Sequence, residues 1–326
     1  MIFNKNAEIS AIGAYLPEEK LTNDDLSKIV ETDDEWIYSR TGIKERRISK
    51  KTEFSSDMAI KAVQNLLDNN SVSVDDVDMI MVSTITQDYY TPSVAALVQS
   101  YFNIPNTGSL DFNAACSGYV YGMQMAFSLI ASGQYKKILL ITADTLSKIV
   151  DYKDRATCVL FGDAATATII QRKEGLNDQV YSFSGTNGTI GKELFCSNIS
   201  EYINGEEIKS KHVLNQNGRA LYVYVTRDIS EMVLDFFKQN SIDQDSINWF
   251  VPHSANARMI TKLCEHIGIP DEKSLLSIRL CGNTSSNSIP LALWLAMKEG
   301  KIKRGDKMFL LGFGGGFSYA GLIFNF

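Results

Sequence analysis

The chain has 326 residues, 44% hydrophobic and 21% charged, an ordinary soluble composition long enough for two domains or one large one. A net charge of −6 argues against a general nucleic-acid binder, and an acidic partner would need a local basic patch. Five cysteines without a Cys-x-x-Cys pair, and three histidines, disfavour a disulfide framework or structural zinc; with no leader-like start and no apolar run of about 18 residues, the expectation is a cytoplasmic protein without a membrane span.

In chain order, apolar runs of strand length alternate with helix-period segments. Residues 9–16 read as a strand, 24–40 as an acidic helix and 44–47 as a basic turn. A helix over 56–69 precedes a buried strand over 79–84. Pro92 opens the next helix. Residues 109–114 form a strand, and 118–131 a helix closed by Gly133. Strands follow over 138–143, 158–161 and 166–170. The polar stretch 174–219 reads as loops and a connector. Then come a helix over 221–238, a strand over 247–251, a helix over 255–266 and a helix ending at 298. Strands over 307–312 and 320–326 close the chain. The alternation implies α/β layers, with a coarse parallel between a strand–Cys116 turn–helix unit and a strand–His253 turn–helix unit. The expected division is 1–173 and 174–326.

Three turns carry chemistry-bearing side chains. Cys116 lies in Asp111-Phe-Asn-Ala-Ala-Cys-Ser-Gly118, between a strand and a helix. A helix N-terminus favours the thiolate and offers N–H groups to an oxyanion. A small buried thiol in a packed turn is the plain alternative. His253 sits in Val251-Pro-His-Ser-Ala-Asn256, at a strand end where α/β proteins place sites. Asn283 lies in Gly282-Asn-Thr-Ser285. A hydrogen-bonded structural histidine and a simple turn cap are the plain readings of these two. The loop Gly312-Phe-Gly-Gly-Gly-Phe317 lacks the following helix of a dinucleotide fingerprint, but can bring backbone N–H groups near a carbonyl. Trp36 and Arg40, one turn apart, suit stacking on adenine and pairing with phosphate, or else mark an amphipathic helix end.

The ordered set of these motifs, with Asp34-Glu-Trp-Ile-x-x-Arg40-Thr-Gly-Ile-x-x-Arg46-Arg47, Asp154-Arg155, Phe161-Gly-Asp163 and Phe313-Gly-Gly-Gly-Phe317, resembles β-ketoacyl-acyl-carrier-protein synthase III. This is the condensing-enzyme family that starts bacterial fatty-acid synthesis. The likeness runs end to end and looks closest to the second synthase III copy of some low-GC Gram-positive bacteria. It implies the thiolase fold: two similar βαβαβαββ halves in an α-β-α-β-α sandwich, as a homodimer. It implies acyl transfer to Cys116, with His253 and Asn283 promoting malonyl decarboxylation. The N–H groups of Cys116 and Gly315 are implied as the oxyanion hole. Trp36, Arg40, Thr41 and Arg155 align with a coenzyme A clamp, and Asn256 with a residue orienting water and pantetheine. Arg258 aligns with a carrier-protein docking residue, with Lys262, Arg219, Lys209 and Lys211 as neighbours. The substrates implied are an acyl-CoA and malonyl-acyl-carrier protein, with no metal or redox cofactor. Thr91 stands where several short-chain members carry Phe, so a branched or longer starter is expected. Glu265 and His266, where some members show lysines, thin the basic patch.

A papain-like hydrolase shares the order Cys, His, Asn, but not the clamp or the terminal glycine loop. A thiolase would want a second cysteine near the C-terminus. A plant-type polyketide synthase lacks the Phe-Gly-Gly-Gly-Phe ending. A specialised-metabolism enzyme, or a subunit of a heteromeric one, stays compatible with the same motifs.

Overall fold

The computed structural model describes residues 1–208 and 210–326. Two five-stranded sheets dominate it. The first runs, in spatial order, Ala7–Tyr15, Ala164–Arg172, Lys137–Asp144, Met79–Ser83, Gly108–Phe112. Its first two pairings are antiparallel and its last two parallel. The second runs Ile2–Lys5, Asp178–Thr186, Ser318–Asn325, Lys307–Gly314, Trp249–Pro252, with only the last pair parallel. The inner strands are apolar on both faces, as strands covered on both sides must be.

Between the sheets lie the helices Gly118–Ala131 and Ser288–Lys298, which pack against strands of both. A helix apolar nearly all round belongs in such a layer, because no face of it needs water. Helices Ser55–Asn69 and Val94–Phe102 cover the outer face of the first sheet. Helices Ser230–Gln239 and Ala257–Ile267 cover the second, where Phe237 meets Phe309 edge-on at 5.3 Å. The result is the five-layered thiolase fold.

The structure corrects several local expectations. Residues 24–40 form two helices, Asn23–Leu26 and Asp34–Thr41, because the Asp33 side chain caps a new start at the Trp36 N–H. The basic turn is a strand, Glu45–Ile48, whose Arg46 is fully buried and bonded to Val159 O and Asn23. Pro92 precedes the cap Ser93 rather than opening the helix. The strand expected at 158–161 does not form: Cys158 ends a helical turn, Arg155–Cys158, capped by Asp154, and only Phe161 makes a β-bridge, to Asn283. The polar connector holds a nine-residue strand, Asp178–Thr186, in the second sheet. It holds only three apolar residues, Val180, Tyr181 and Phe183, too few to mark a strand in a polar stretch. The internal parallel also lies elsewhere. The Cys116 turn matches the Asn283 turn: each has a left-handed residue (Ala115, φ 46°; Ser285, φ 53°), a single 3-10 turn, then a central-layer helix. The strand Ile2–Lys5 starts the chain yet pairs in the second sheet.

Candidate active site

Cys116 occupies the 3-10 turn Ala115–Ser117 at the mouth of the helix Gly118–Ala131. Ser318 fastens this turn to the opposite half: its hydroxyl lies 2.7 Å from Ser117 Oγ, 3.1 Å from Ala114 O and 3.2 Å from Gly315 O. The glycine loop can come this close only without side chains. A Cβ on Gly314 would fall 2.6 Å from Cys116 Cβ and 2.8 Å from its sulfur.

His253 follows the strand Trp249–Pro252, its N–H bonded to Leu311 O at 2.8 Å and its ring edge-on to Phe313. Its Nδ1 lies 2.7 Å from Ser288 Oγ, an oxygen that already accepts the Ser254 N–H at 3.2 Å. The Ser288 proton satisfies every group if it is given to Nδ1, which leaves Nε2 carrying hydrogen toward the cavity. Burial pushes the imidazole down to about 3, so the ring is neutral.

Asn283 follows Gly282, whose φ of 66° and closeness to Leu160 O (2.6 Å for an added Cβ) admit only glycine. The Asn283 backbone is pinned by bonds to Leu160 O and from the Gly162 N–H, and its Oδ1 accepts the Ser285 N–H at 2.9 Å. The amide NH₂ is thereby the end of the side chain left for a ligand.

Cys116, His253 and Asn283 line one narrow cavity of about 40 Å³ with Phe313, Gly314, Gly315 and Ser285. That space holds only a few waters. Burial pushes the Cys116 thiol up to about 11, while the Ser285 hydroxyl and the N–H groups of Gly315 and Cys116 pull it back toward the thiolate. The helix N-terminus acts in the same direction as those donors, but burial prevails. Ala115 and Gly315 also border a far larger cleft of about 1500 Å³, lined by Thr91, Tyr90, Phe112 and Met125.

Trp36, Arg40 and Arg155 meet at the surface. The Arg40 guanidinium lies 4.5 Å, and the Arg155 guanidinium 5.0 Å, from the Trp36 ring. Thr41 does not join them: it is buried, and its hydroxyl donates to Ile37 O and accepts the Ile43 N–H. Asn256 caps the helix Ala257–Ile267 through the Met259 N–H. Arg258 is exposed on that helix, but Lys262 is paired with Glu265 at 2.7 Å. Arg219 is exposed, Lys211 is paired with Glu201, and Lys209 lies outside the described residues. Among the described residues no group of three or more His, Cys, Asp or Glu could hold a metal ion, and no helix is long and apolar enough to cross a membrane.

Three side chains around the site escape a reading of the sequence: Ser285, Ser288 and Asp144. The two serines follow Asn283 in a run that reads as capping chemistry. Asp144 ends a strand that is mostly apolar, and a carboxylate in that place is the signal that could have found it.

Residues 110–188 match the family of 3-oxoacyl-[acyl-carrier-protein] synthase III, and residues 237–326 match its C-terminal family. The chain is 49% identical to β-ketoacyl-[acyl-carrier-protein] synthase III 2 of Halalkalibacterium halodurans, over 97% of this chain and 96% of the relative. It is 48% identical to the protein of the same name from Bacillus subtilis, over 97% of this chain and 98% of that one. A crystal structure of β-ketoacyl-[acyl carrier protein] synthase III from Thermus thermophilus superposes with a TM-score of 0.92 at 38% identity, covering 98% of each chain. The chain belongs to the β-ketoacyl-[acyl-carrier-protein] synthase III family.

Proposed function

We propose that the protein condenses an acyl-CoA with malonyl-acyl-carrier protein, releasing coenzyme A and carbon dioxide, to give the 3-oxoacyl-acyl-carrier protein that begins fatty-acid synthesis. The observation that carries this reading is the convergence of a thiol, a neutral imidazole and a carboxamide on one cavity too small for bulk water.

Cys116 attacks the thioester carbonyl, coenzyme A leaves, and the acyl group stays on sulfur. The N–H groups of Cys116 and Gly315 receive the oxyanion of each tetrahedral intermediate. Malonyl-carrier protein then enters, and loss of carbon dioxide builds charge on its thioester oxygen. His253 Nε2–H and the Asn283 amide are the two donors for that charge. A neutral histidine suits this task, because it donates without adding a buried charge. The resulting carbanion attacks the acyl carbonyl and expels the Cys116 thiolate.

Trp36 and Arg155 take the adenine between them, which requires the present contact of Arg155 with Trp36 to open. Arg40 stays on the other contact as a phosphate partner, Asn256 offers its free amide to the pantetheine arm, and Arg258 and Lys262 meet the acidic carrier protein. Thr41 enters this scheme only through its backbone, since its hydroxyl is occupied. The acyl chain runs from Cys116 into the large cleft past Thr91, where space permits a starter longer or more branched than acetyl.

A homodimer closes that cleft. The edge strand Gly108–Phe112 is exposed, with Leu110 at 40%, and Tyr89 and Tyr90 beside it stand 58% and 70% exposed. An open strand edge with aromatic neighbours is suited to pairing with a second copy. The free cysteines suit a reducing compartment, and we place the protein in the cytoplasm.

The test is a condensation assay with malonyl-carrier protein and acetyl-, isobutyryl- and decanoyl-CoA, run beside Cys116→Ala. Product from the native protein and none from the variant supports the reading. A strong preference for acetyl-CoA sinks the proposal of a longer or branched starter.

A further inference from the structure

An oxyanion hole made of two backbone N–H groups works only if both are held in place, since a misplacement of about 1 Å costs roughly 10²-fold in rate. Here the two come from opposite halves: Cys116 from the first turn, Gly315 from the glycine loop. Neither stretch of backbone holds itself. Gly314, Gly315 and Gly316 are three residues in a row without a side chain to restrain them, and Gly316 has a φ of 66°. Ala115 (φ 46°) and Phe317 (φ 52°) lie left-handed beside the two donors. For a residue with a Cβ that conformation is costly, and it persists only where the surroundings impose it.

Between the two turns lies a pair of buried hydroxyls, Ser117 and Ser318. The shortest contacts settle their protons: Ser117 Oγ donates to Ala114 O at 2.6 Å, and Ser318 Oγ donates to Ser117 Oγ at 2.7 Å. Ala114 O also accepts the Ser117 N–H at 3.1 Å, which holds the peptide leading into Ala115 and Cys116. On the other side Ser318 follows Phe317 directly, and its Oγ lies 3.2 Å from Gly315 O. The link therefore runs from the peptide before Cys116 to the glycine loop. The two backbones are in close contact there: a Cβ added to Gly314 would fall 3.2 Å from the Cys116 nitrogen. Neither serine borders the narrow cavity that holds Cys116, His253 and Asn283, so any effect of theirs passes through the backbone.

We propose that the Ser117–Ser318 hydroxyl pair positions the oxyanion hole, holding the Cys116 and Gly315 N–H groups at the separation that a thioester oxyanion needs. The proposal rests on the reading of those two N–H groups as the oxyanion donors. The serines are positioning residues that act as a unit, because loss of either hydroxyl breaks the chain from Ser318 to Ala114 O. Decarboxylation, whose charge falls to His253 and Asn283, does not depend on that chain.

Single-turnover acylation of Ser117→Ala, Ser318→Ala and the double variant tests it, with the fastest acyl-CoA of the panel above. Each single variant should lower the limiting acylation rate about tenfold, less than the roughly 10²–10³ of a lost donor, at an unchanged half-saturating acyl-CoA concentration. The double variant should be no slower than the slower single one. Malonyl decarboxylation without acyl-CoA should keep its wild-type rate. Undiminished acylation in both single variants would overturn the proposal, as would losses that multiply in the double variant. An equal fall in decarboxylation would overturn it too, since that marks a general structural role. Should Ser117→Ala fail to fold, Ser318→Ala decides by the same split, and Ser318→Thr, which keeps the hydroxyl, should recover the rate; should Ser318→Ala fail, Ser117→Ala decides. A dithioester analogue of the acyl-CoA separates the proposal from the reading beneath it. Sulfur accepts hydrogen bonds poorly, so the wild type should favour the thioester more than a free thiol does, and the serine variants should lose part of that preference. No such preference in a wild type acylated on Cys116 would remove the oxyanion-hole reading itself. A full preference kept by slowed variants would overturn the positioning role alone.

Discussion

The turn at Cys116 and the turn at Asn283 have the same backbone and opposite chemistry. Each passes a left-handed residue and a 3-10 turn, then enters a helix buried between the sheets. In the first turn the residue after the left-handed one is Cys116, which borders the cavity; in the second it is Ser286, which turns away to donate to Asp144. The strands show the same division. Lys137–Asp144 ends in a buried carboxylate, whereas Lys307–Gly314 ends in a glycine whose backbone lies close against Cys116. A repeated scaffold thus presents a thiol from one half, and an imidazole and a carboxamide from the other, to one cavity.

The sharpest way to break this comparison is to remove the nucleophile. Cys116→Ala should reduce condensation to background with every acyl-CoA, measured as 3-oxoacyl-carrier protein formed. The donor half should fail differently. His253→Ala and Asn283→Ala should each lower decarboxylation about 10²–10³-fold yet leave Cys116 open to acylation, seen as a stable acyl-enzyme by intact mass. Loss of acylation in Asn283→Ala would mean that the two halves do not divide the chemistry. The clamp is a smaller effect. Trp36→Ala should raise KM for acyl-CoA about tenfold with little change in kcat, because adenine stacking lies far from the bond being made.

The layered α/β fold and the three chemistry-bearing turns are legible because local rules write them. Apolar runs mark inner strands, and Gly and Asn mark turns between them. The strand Asp178–Thr186 is not, since six of its nine residues are small or polar and its register comes from Ser318–Asn325, more than a hundred residues away. Arg46 reads as part of a basic turn because nothing local reveals that Val159 O and Asn23 await it across the fold. The thiolate expected from a helix N-terminus rests on one helix alone, whereas the cavity that raises the thiol is closed by residues of both halves. Chemical interest pairs the Cys116 turn with the His253 turn, but backbone conformation pairs it with Asn283.

Asp144 and His253 also give opposite pH dependence to stability. The Asp144 carboxyl is raised from 3.8 to about 7, so the native state holds its proton more tightly and this group's contribution is lost as pH rises between those values. His253 is lowered from 6.5 to about 3, so its contribution is present above 6.5 and is lost as pH falls toward 3. Urea unfolding of Asp144→Asn should therefore gain on the wild type from about pH 4 to 7 and hold that gain above 7; a gap independent of pH would show that Asp144 is ionised throughout.

The smallest effect expected is none at all, and it tests whether backbone equivalence carries chemistry. Cys116→Ala combined with Ser286→Cys moves the thiol to the matching place in the other half. Ser286 is 1% exposed and does not border the cavity of Cys116, and its hydroxyl faces Asp144. A thiol there meets a carboxylate, which opposes its ionisation, and has no oxyanion donors before it. The double variant should stay unacylated by acyl-CoA on intact mass analysis. Acylation at residue 286 would show that the scaffold alone, without the glycine loop, is enough to make a nucleophile.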